Sequence, residues 1–199
     1  MKPKLHPITI IQDTREQRPL DFSPFPSVSV EVAKLDYGDY AIKGYETSVA
    51  FERKSVSDLI GSIKDCAGRH SPRRKRFDYE LDAFMRFYSV AYLVVEPDDM
   101  ATIREAAAVK GHADFAPTRQ LTAKEQIDLG LYRSAMRPDC VKGFLRFFWH
   151  SPKFKLIMAK SREDAAARVV DAARFHADDR RARSHRDAKP VEIVSPPWN

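Results

Sequence analysis

Asp39, Glu52, Lys54 and Asp58 lie close together in LDYGDYAIKGYETSVAFERKSVSDLIGSI, the stretch from Leu35 to Ile63. Asp39 follows a glycine, and Glu52-Arg53-Lys54 closes a short apolar run, Val49 to Phe51. Side chains alternate along a strand, so Glu52 and Lys54 share one side of a sheet while Arg53 points away. Two carboxylates from neighbouring strands can hold a hard divalent cation through oxygen. A lysine beside them stands next to the water that would attack phosphorus, an arrangement suited to metal-dependent phosphodiester hydrolysis. Plainer readings exist for two of these residues. Asp39 alone would serve a turn behind Gly38; its spacing to Glu52 argues for a ligand. Asp58 stands at the third position of a helix capped by Ser55, where a carboxylate satisfies the helix terminus, and that duty is compatible with a place beside the site.

GDY followed by FERKSVSDLIGSI closely resembles the nuclease motif of the XPF family of structure-specific DNA endonucleases, which carry a GD, an ERK and an aspartate four residues on. The family is also known by an Asp-x-Arg-Glu on its first strand, and Asp13-Thr14-Arg15-Glu16 follows the apolar run Ile8 to Ile11 here. The resemblance extends with decreasing clarity to about Phe175. It implies a restriction-endonuclease-like fold, Mg²⁺ or Mn²⁺ as cofactor, and DNA as partner, branched or flap-containing. It also implies pairing through nuclease domains, as a homodimer or with a partner subunit. On this likeness Asp39 and Glu52 hold the metal with Asp13 in support, and the Arg53 backbone carbonyl is a further ligand. Lys54 and Asp58 complete the catalytic set, and Glu80 resembles a family acidic position.

Arg15 reads as a phosphate contact or as the orienter of Glu16, since a guanidinium fork suits phosphate geometry. The Arg53 side chain, pointing away from Glu52, is expected to pair with a carboxylate under the site. Gly68-Arg69 matches a glycine-arginine pair of the family, after which the positive run continues through Arg73, Arg74, Lys75 and Arg76. Such a run is often a solvated face; directly after the helix of the catalytic strand, DNA backbone contact is the favoured reading. Nothing after His176 reads as the tandem helix-hairpin-helix modules that many relatives carry. Two rivals stay open: a less structure-selective nuclease of the same fold, and a DNA-binding subunit that is silent or needs a partner.

A net charge of +6 and a pI near 9.3 favour an anionic partner without identifying it. Length and a hydrophobic fraction of 43% fit one globular domain with a real core. Cys66 and Cys140 form no CxxC and read as free thiols in a reducing compartment. With no apolar leader and no apolar run of about 18 residues, an intracellular protein without a membrane segment is expected. Scattered histidines give no zinc site, and the absence of a Walker loop or dinucleotide fingerprint argues against a nucleotide cofactor.

The elements that must position these residues follow from patterning. Ile8 to Gln12 reads as a strand, then Thr14 to Pro26 as a proline-punctuated loop. Val28, Val30 and Val32 alternate with smaller or polar residues, predicting a half-buried strand. Tyr40 to Ile42 and Ser48 to Glu52 read as an antiparallel pair. Ser55 caps a helix bearing Val56, Leu59, Ile60 and Ile63 on one face, closed by Gly68. The basic run leads into a helix with Phe77, Leu81, Phe84, Met85 and Tyr88 inward, and Ala91 to Val95 is a strand covered on both faces. Helices are expected from about Asp99 to Val109, after the capping box at Thr122, and from Cys140 to Trp149, where Phe147 lies off the stripe and could serve a dimer contact. Phe154 to Ala159 is a buried strand, and Ser161 caps the last helix. The alternation predicts an α/β fold with a mixed central sheet flanked by helices, and Glu52 and Lys54 at the end of a central strand. Residues 1–176 are expected to form the nuclease domain, and 177–199 a charged, proline-containing mobile tail.

Overall fold

The computed structural model describes residues 6–67 and 72–187. Six strands, β1 (Ile8–Asp13), β2 (Val28–Ala33), β3 (Tyr40–Ile42), β4 (Val49–Ser55), β5 (Val90–Glu96) and β6 (Phe154–Met158), form one sheet in the order β2-β1-β3-β4-β5-β6. The helices are α1 (Val56–Ala67), α2 (Pro72–Phe87), α3 (Met100–Val109), α4 (Ala123–Asp128), α5 (Pro138–His150) and α6 (Arg162–Asp187). β3 pairs antiparallel with β1 and β4, and the other pairings are parallel. Five strands thus end at one edge of the sheet, and the reversed β3 starts there. That edge therefore collects Asp13, the residue before Tyr40, and the last residues of β4 and β5.

Alternation in the central strands splits the core in two. Ala50, Leu93 and Val95 pack under α1, α2, α4 and α5, against Leu59, Ile60, Phe84, Ile127, Leu145 and Phe148. Phe51 and Val94 face the other way, with Ile10, Tyr40 and Ile42, onto Ala166, Val169, Val170 and Ala173 of α6. β5, covered on both sides as expected, is apolar up to its final residue. The caps read from the sequence form: Thr122 makes its capping box with Glu125, and the Asp164 N–H donates to Ser161 Oγ at 3.2 Å. No described helix is long and apolar enough to cross a membrane.

Three expectations need correction. β2 is not half-buried: Val30 and Val32 are 45% and 61% exposed, because β2 is the edge strand and α6 packs on β1 and its inner neighbours. The basic run is not a lead-in to the next helix from Pro72 on; α2 starts at Pro72, a residue suited to a first helical position, so Arg73, Arg74, Lys75 and Arg76 already belong to it. The last helix does not give way to a tail near Ala177. It runs to Asp187, and Ala177 is buried and accepts a hydrogen bond from Tyr45 through its carbonyl. The stripe of Ala166, Val169, Val170 and Ala173 continues to Ala177 at the spacing of one helical face.

Burial at Ala177 makes a specific expectation. Ala177→Asp places an unpaired charge in a closed site, which costs on the order of 2 kcal/mol or more. A fall in melting temperature of at least about 4 °C is expected for a domain of this size. A thermal melt followed by circular dichroism checks it, and an unchanged midpoint would return this residue to a solvated tail.

Candidate active site

The turn into β3 is built around Gly38, whose φ of +88° suits glycine, and where a Cβ would meet the Phe51 carbonyl at 3.0 Å and the Phe84 ring at 3.3 Å. This close approach sets Asp39 between two strands. Its N–H donates to Phe51 O at 2.8 Å, and its own carbonyl accepts the Asp13 N–H at 2.8 Å. The Arg53 N–H donates to Asp39 Oδ2 at 2.7 Å. The carboxylate is therefore held against the end of β4, where strand alternation brings Glu52 and Lys54 to the same side.

A cleft of about 650 Å³ opens at this edge, lined among others by Asp13, Arg15, Glu16, Asp39, Glu52, Arg53, Lys54, Asp58 and Glu80. Lys54 Nζ lies 2.9 Å from Glu52 Oε1, both side chains mostly buried, and 5.1 Å from the centre of the Phe77 ring. Burial and the charge of Glu52 push the Asp39 carboxyl up to about 8, against the pull of the Arg53 N–H. Burial also raises Glu52, opposed by Lys54, whose own pKa rises because the Glu52 charge and hydrogen bond outweigh its desolvation. Glu80 adds negative charge that both groups feel. Asp39 and Glu52 thus sit side by side with Lys54 in a place where ionisation is costly.

Asp58 does both things expected of it. Its N–H donates to Ser55 Oγ at 3.2 Å, the Ser55 hydroxyl donates to Asp58 Oδ2 at 2.9 Å, and the side chain lines the cleft. Arg53 reaches to the opposite side of β4, as alternation requires, and pairs with Glu16 at 3.1 Å and Glu96 at 2.6 Å.

Other placements differ from the sequence reading. Arg15 does not orient Glu16; it grips Asp13, with Nε 2.7 Å from Oδ1 and Nη2 3.1 Å from Oδ2, and donates to Leu35 O. Asp13 also accepts the N–H groups of Arg15 and Leu35, at 2.7 and 2.6 Å. Burial would raise Asp13, yet these hydrogen bonds hold its carboxyl below the ordinary value. With both oxygens engaged, Asp13 fastens the loop after β1. Asp13 nonetheless lines the same cleft as Asp39 and Glu52. Arg69 lies outside the described residues, as do the side chains of Arg73, Arg74, Lys75, Arg76, Cys66 and Phe147; Cys140 is a free, exposed thiol.

Glu96 is the residue that sequence reasoning missed. It is 3% exposed, and its Oε1 takes Arg53 from one side and Arg162 Nη1, at 2.5 Å, from the other. Arg162 continues to the carbonyls of Arg18 and Pro19, tying the first loop to the start of α6. The signal was present: an acid ends the apolar strand Ala91 to Val95 just as Glu52 follows Val49 to Phe51.

A mixed sheet sandwiched by helices, with carboxylates and a lysine at one strand edge, is the restriction-endonuclease-like architecture. The profile of the ERCC4 domain matches residues 12–171, and the chain belongs to the ERCC4-domain family. The structure is similar to XPF from Aeropyrum pernix, with a TM-score of 0.57 and 17% identity over 96% of this chain and 69% of that one. It is also similar to XPF from Aeropyrum pernix in complex with DNA, with a TM-score of 0.52 and 18% identity over 86% and 66% of the respective chains. Among curated proteins none matches the sequence.

The raised Asp39 pKa has a definite sign in stability. Folded chain keeps a proton there up to about pH 8, whereas the unfolded carboxyl loses it near its ordinary value of 3.8. Asp39 therefore costs nothing below that lower value, and its cost grows as pH rises toward 8. Asp39→Asn, which keeps an acceptor for the Arg53 N–H, is expected to be the more stable protein at pH 8 in metal-free buffer. The gain should be at least about 1 kcal/mol, roughly 2–4 °C in melting temperature, and should vanish near pH 4. Melts of both proteins across this range measure it.

Proposed function

We propose that this chain is a divalent-metal-dependent endodeoxyribonuclease acting on branched or flap-containing DNA. The observation that carries the reading is the buried pair of carboxyls Asp39 and Glu52 beside Lys54, at the strand edge of an ERCC4-domain fold. Two carboxylates and a backbone carbonyl are hard oxygen donors, few enough to leave water on the ion, which fits Mg²⁺ or Mn²⁺. Asp39, Glu52 and the carbonyl of Arg53 would hold it. When bound, the cation polarises the scissile phosphate and acidifies a nearby water.

The chain's own groups do the rest. Asp39 gives up its proton on loading, so cation binding releases protons and tightens as pH rises toward 8. Lys54, already 2.9 Å from Glu52, donates a hydrogen bond to the attacking water and answers the charge that builds on phosphorus. The Arg15 side chain is 61% exposed and offers the N–H groups that Asp13 and Leu35 leave over to a neighbouring phosphate. Arg69 and the basic start of α2, Arg73 to Arg76, neutralise further phosphates. Arg53 and Glu16 hold the frame beneath. Kinship to a fold also seen in complex with DNA supports DNA as the partner.

Labelled flap, fork, four-way junction and plain duplex, each with Mn²⁺, Mg²⁺ or EDTA, test this. Cleavage of the branched substrates in metal alone is expected. Lys54→Met should slow it by about 10²–10³-fold. Asp39→Asn should lose both cleavage and the rise in melting temperature that Mn²⁺ gives the parent. Uncut substrates and a metal-indifferent melt in the parent would end the proposal.

A further inference from the structure

Phe87 ends α2 with 60% of its surface exposed, yet it is not a stray surface ring. It stacks on Tyr37, centroids 5.0 Å apart and planes 24° from parallel. Tyr37 lines the cleft next to Gly38 and Asp39. Its carbonyl accepts the hydroxyl of the buried Tyr88 at 3.0 Å, which fixes the backbone under the stack. Glu80, Phe84 and Phe87 stand on one face of α2, and the first two line the cleft. Phe87 therefore prolongs the cleft wall by about 10 Å beyond Glu80 at helical rise. The same helix begins with Arg73, Arg74, Lys75 and Arg76.

An open aromatic face in line with a phosphodiester site suits a nucleobase, since every base offers a π-face to stack. A paired base inside duplex DNA has both faces occupied by its neighbours; an unpaired one has a face to give. Resting on the nuclease reading above, we propose that the Tyr37–Phe87 stack is a nucleobase shelf. The base of an unpaired nucleotide near the scissile phosphate lies on Phe87 while the backbone passes through the cleft. Selection for single-stranded branches is then built into the nuclease domain itself.

The test uses a duplex with a single-stranded flap carrying 2-aminopurine at its first unpaired positions, bound in Ca²⁺ so that cutting is suppressed. The parent is expected to quench the probe by stacking. Phe87→Ala should lose the quench and about tenfold of the preference for flap over duplex, and Phe87→Tyr, which keeps a ring, should retain both. Parent cleavage of the same unlabelled flap in Mn²⁺ is measured alongside. Equal quenching and equal preference in Phe87→Ala, with the parent cutting, overturns the shelf and leaves the nuclease reading standing. A parent that neither binds nor cuts the flap overturns both.

Discussion

Arg53 is the residue on which the arrangement turns, because its backbone and its side chain serve opposite sides of one strand. Its N–H fixes Asp39, while its guanidinium is shared between Glu16 and Glu96. Below the sheet the ledger of charge closes, with Arg53 and Arg162 facing Glu16 and Glu96. Above it Lys54 pairs with Glu52, and Asp39, raised by burial and by the Glu52 charge, is met by the Arg53 N–H. Ionising that carboxyl is costly in so buried a place, and it lies at a cleft that opens to solvent. Were the two sides exchanged, that carboxyl would be sealed under α6 and Glu52 would have no reason to be at a cleft.

Much of this was legible because it depends on local rules. Strand alternation alone separates Glu52 and Lys54 from Arg53, and Ser55 with Asp58 announces the helix start that closes β4. What lay beyond reach was the partner of each charge. Arg15 and Glu16 are adjacent in sequence, and nothing in their types says that one folds back on Asp13 while the other crosses to Arg53. That choice is made by the backbone turn after β1, where the Arg15 N–H closes on Asp13 Oδ1. Glu96 hid for a different reason, since a single acid after an apolar strand is common and its meaning comes from β5 lying beside β4 in register, Ser55 opposite Glu96.

The misread elements of the fold have the same origin. Alternating valines in β2 promise an amphipathic strand, but only the sheet order decides whether a helix covers it, and β2 drew the edge. Charge density near the end of α6 resembles a tail when counted by composition. Its small residues at helical spacing tell otherwise, because alanines let the helix lie close to Phe51, Val94 and Ile10 where larger side chains would hold it off.

The aromatic wall and the acidic centre are one mechanical unit. Phe84 packs against the place where Gly38 lacks a side chain and against Phe154 and Tyr88. Tyr88 holds the carbonyl of Tyr37, so the three residues Tyr37, Gly38 and Asp39 are braced by Phe84 of α2 and by Tyr88 just beyond its end. A displacement of α2 would press on the segment that presents the Asp39 carboxylate, since a well-packed interior transmits strain more readily than it absorbs it. Glycine at position 38 then has a role beyond its backbone angle: it lets an aromatic of α2 sit directly against the residue that precedes Asp39, with no side chain between them to yield.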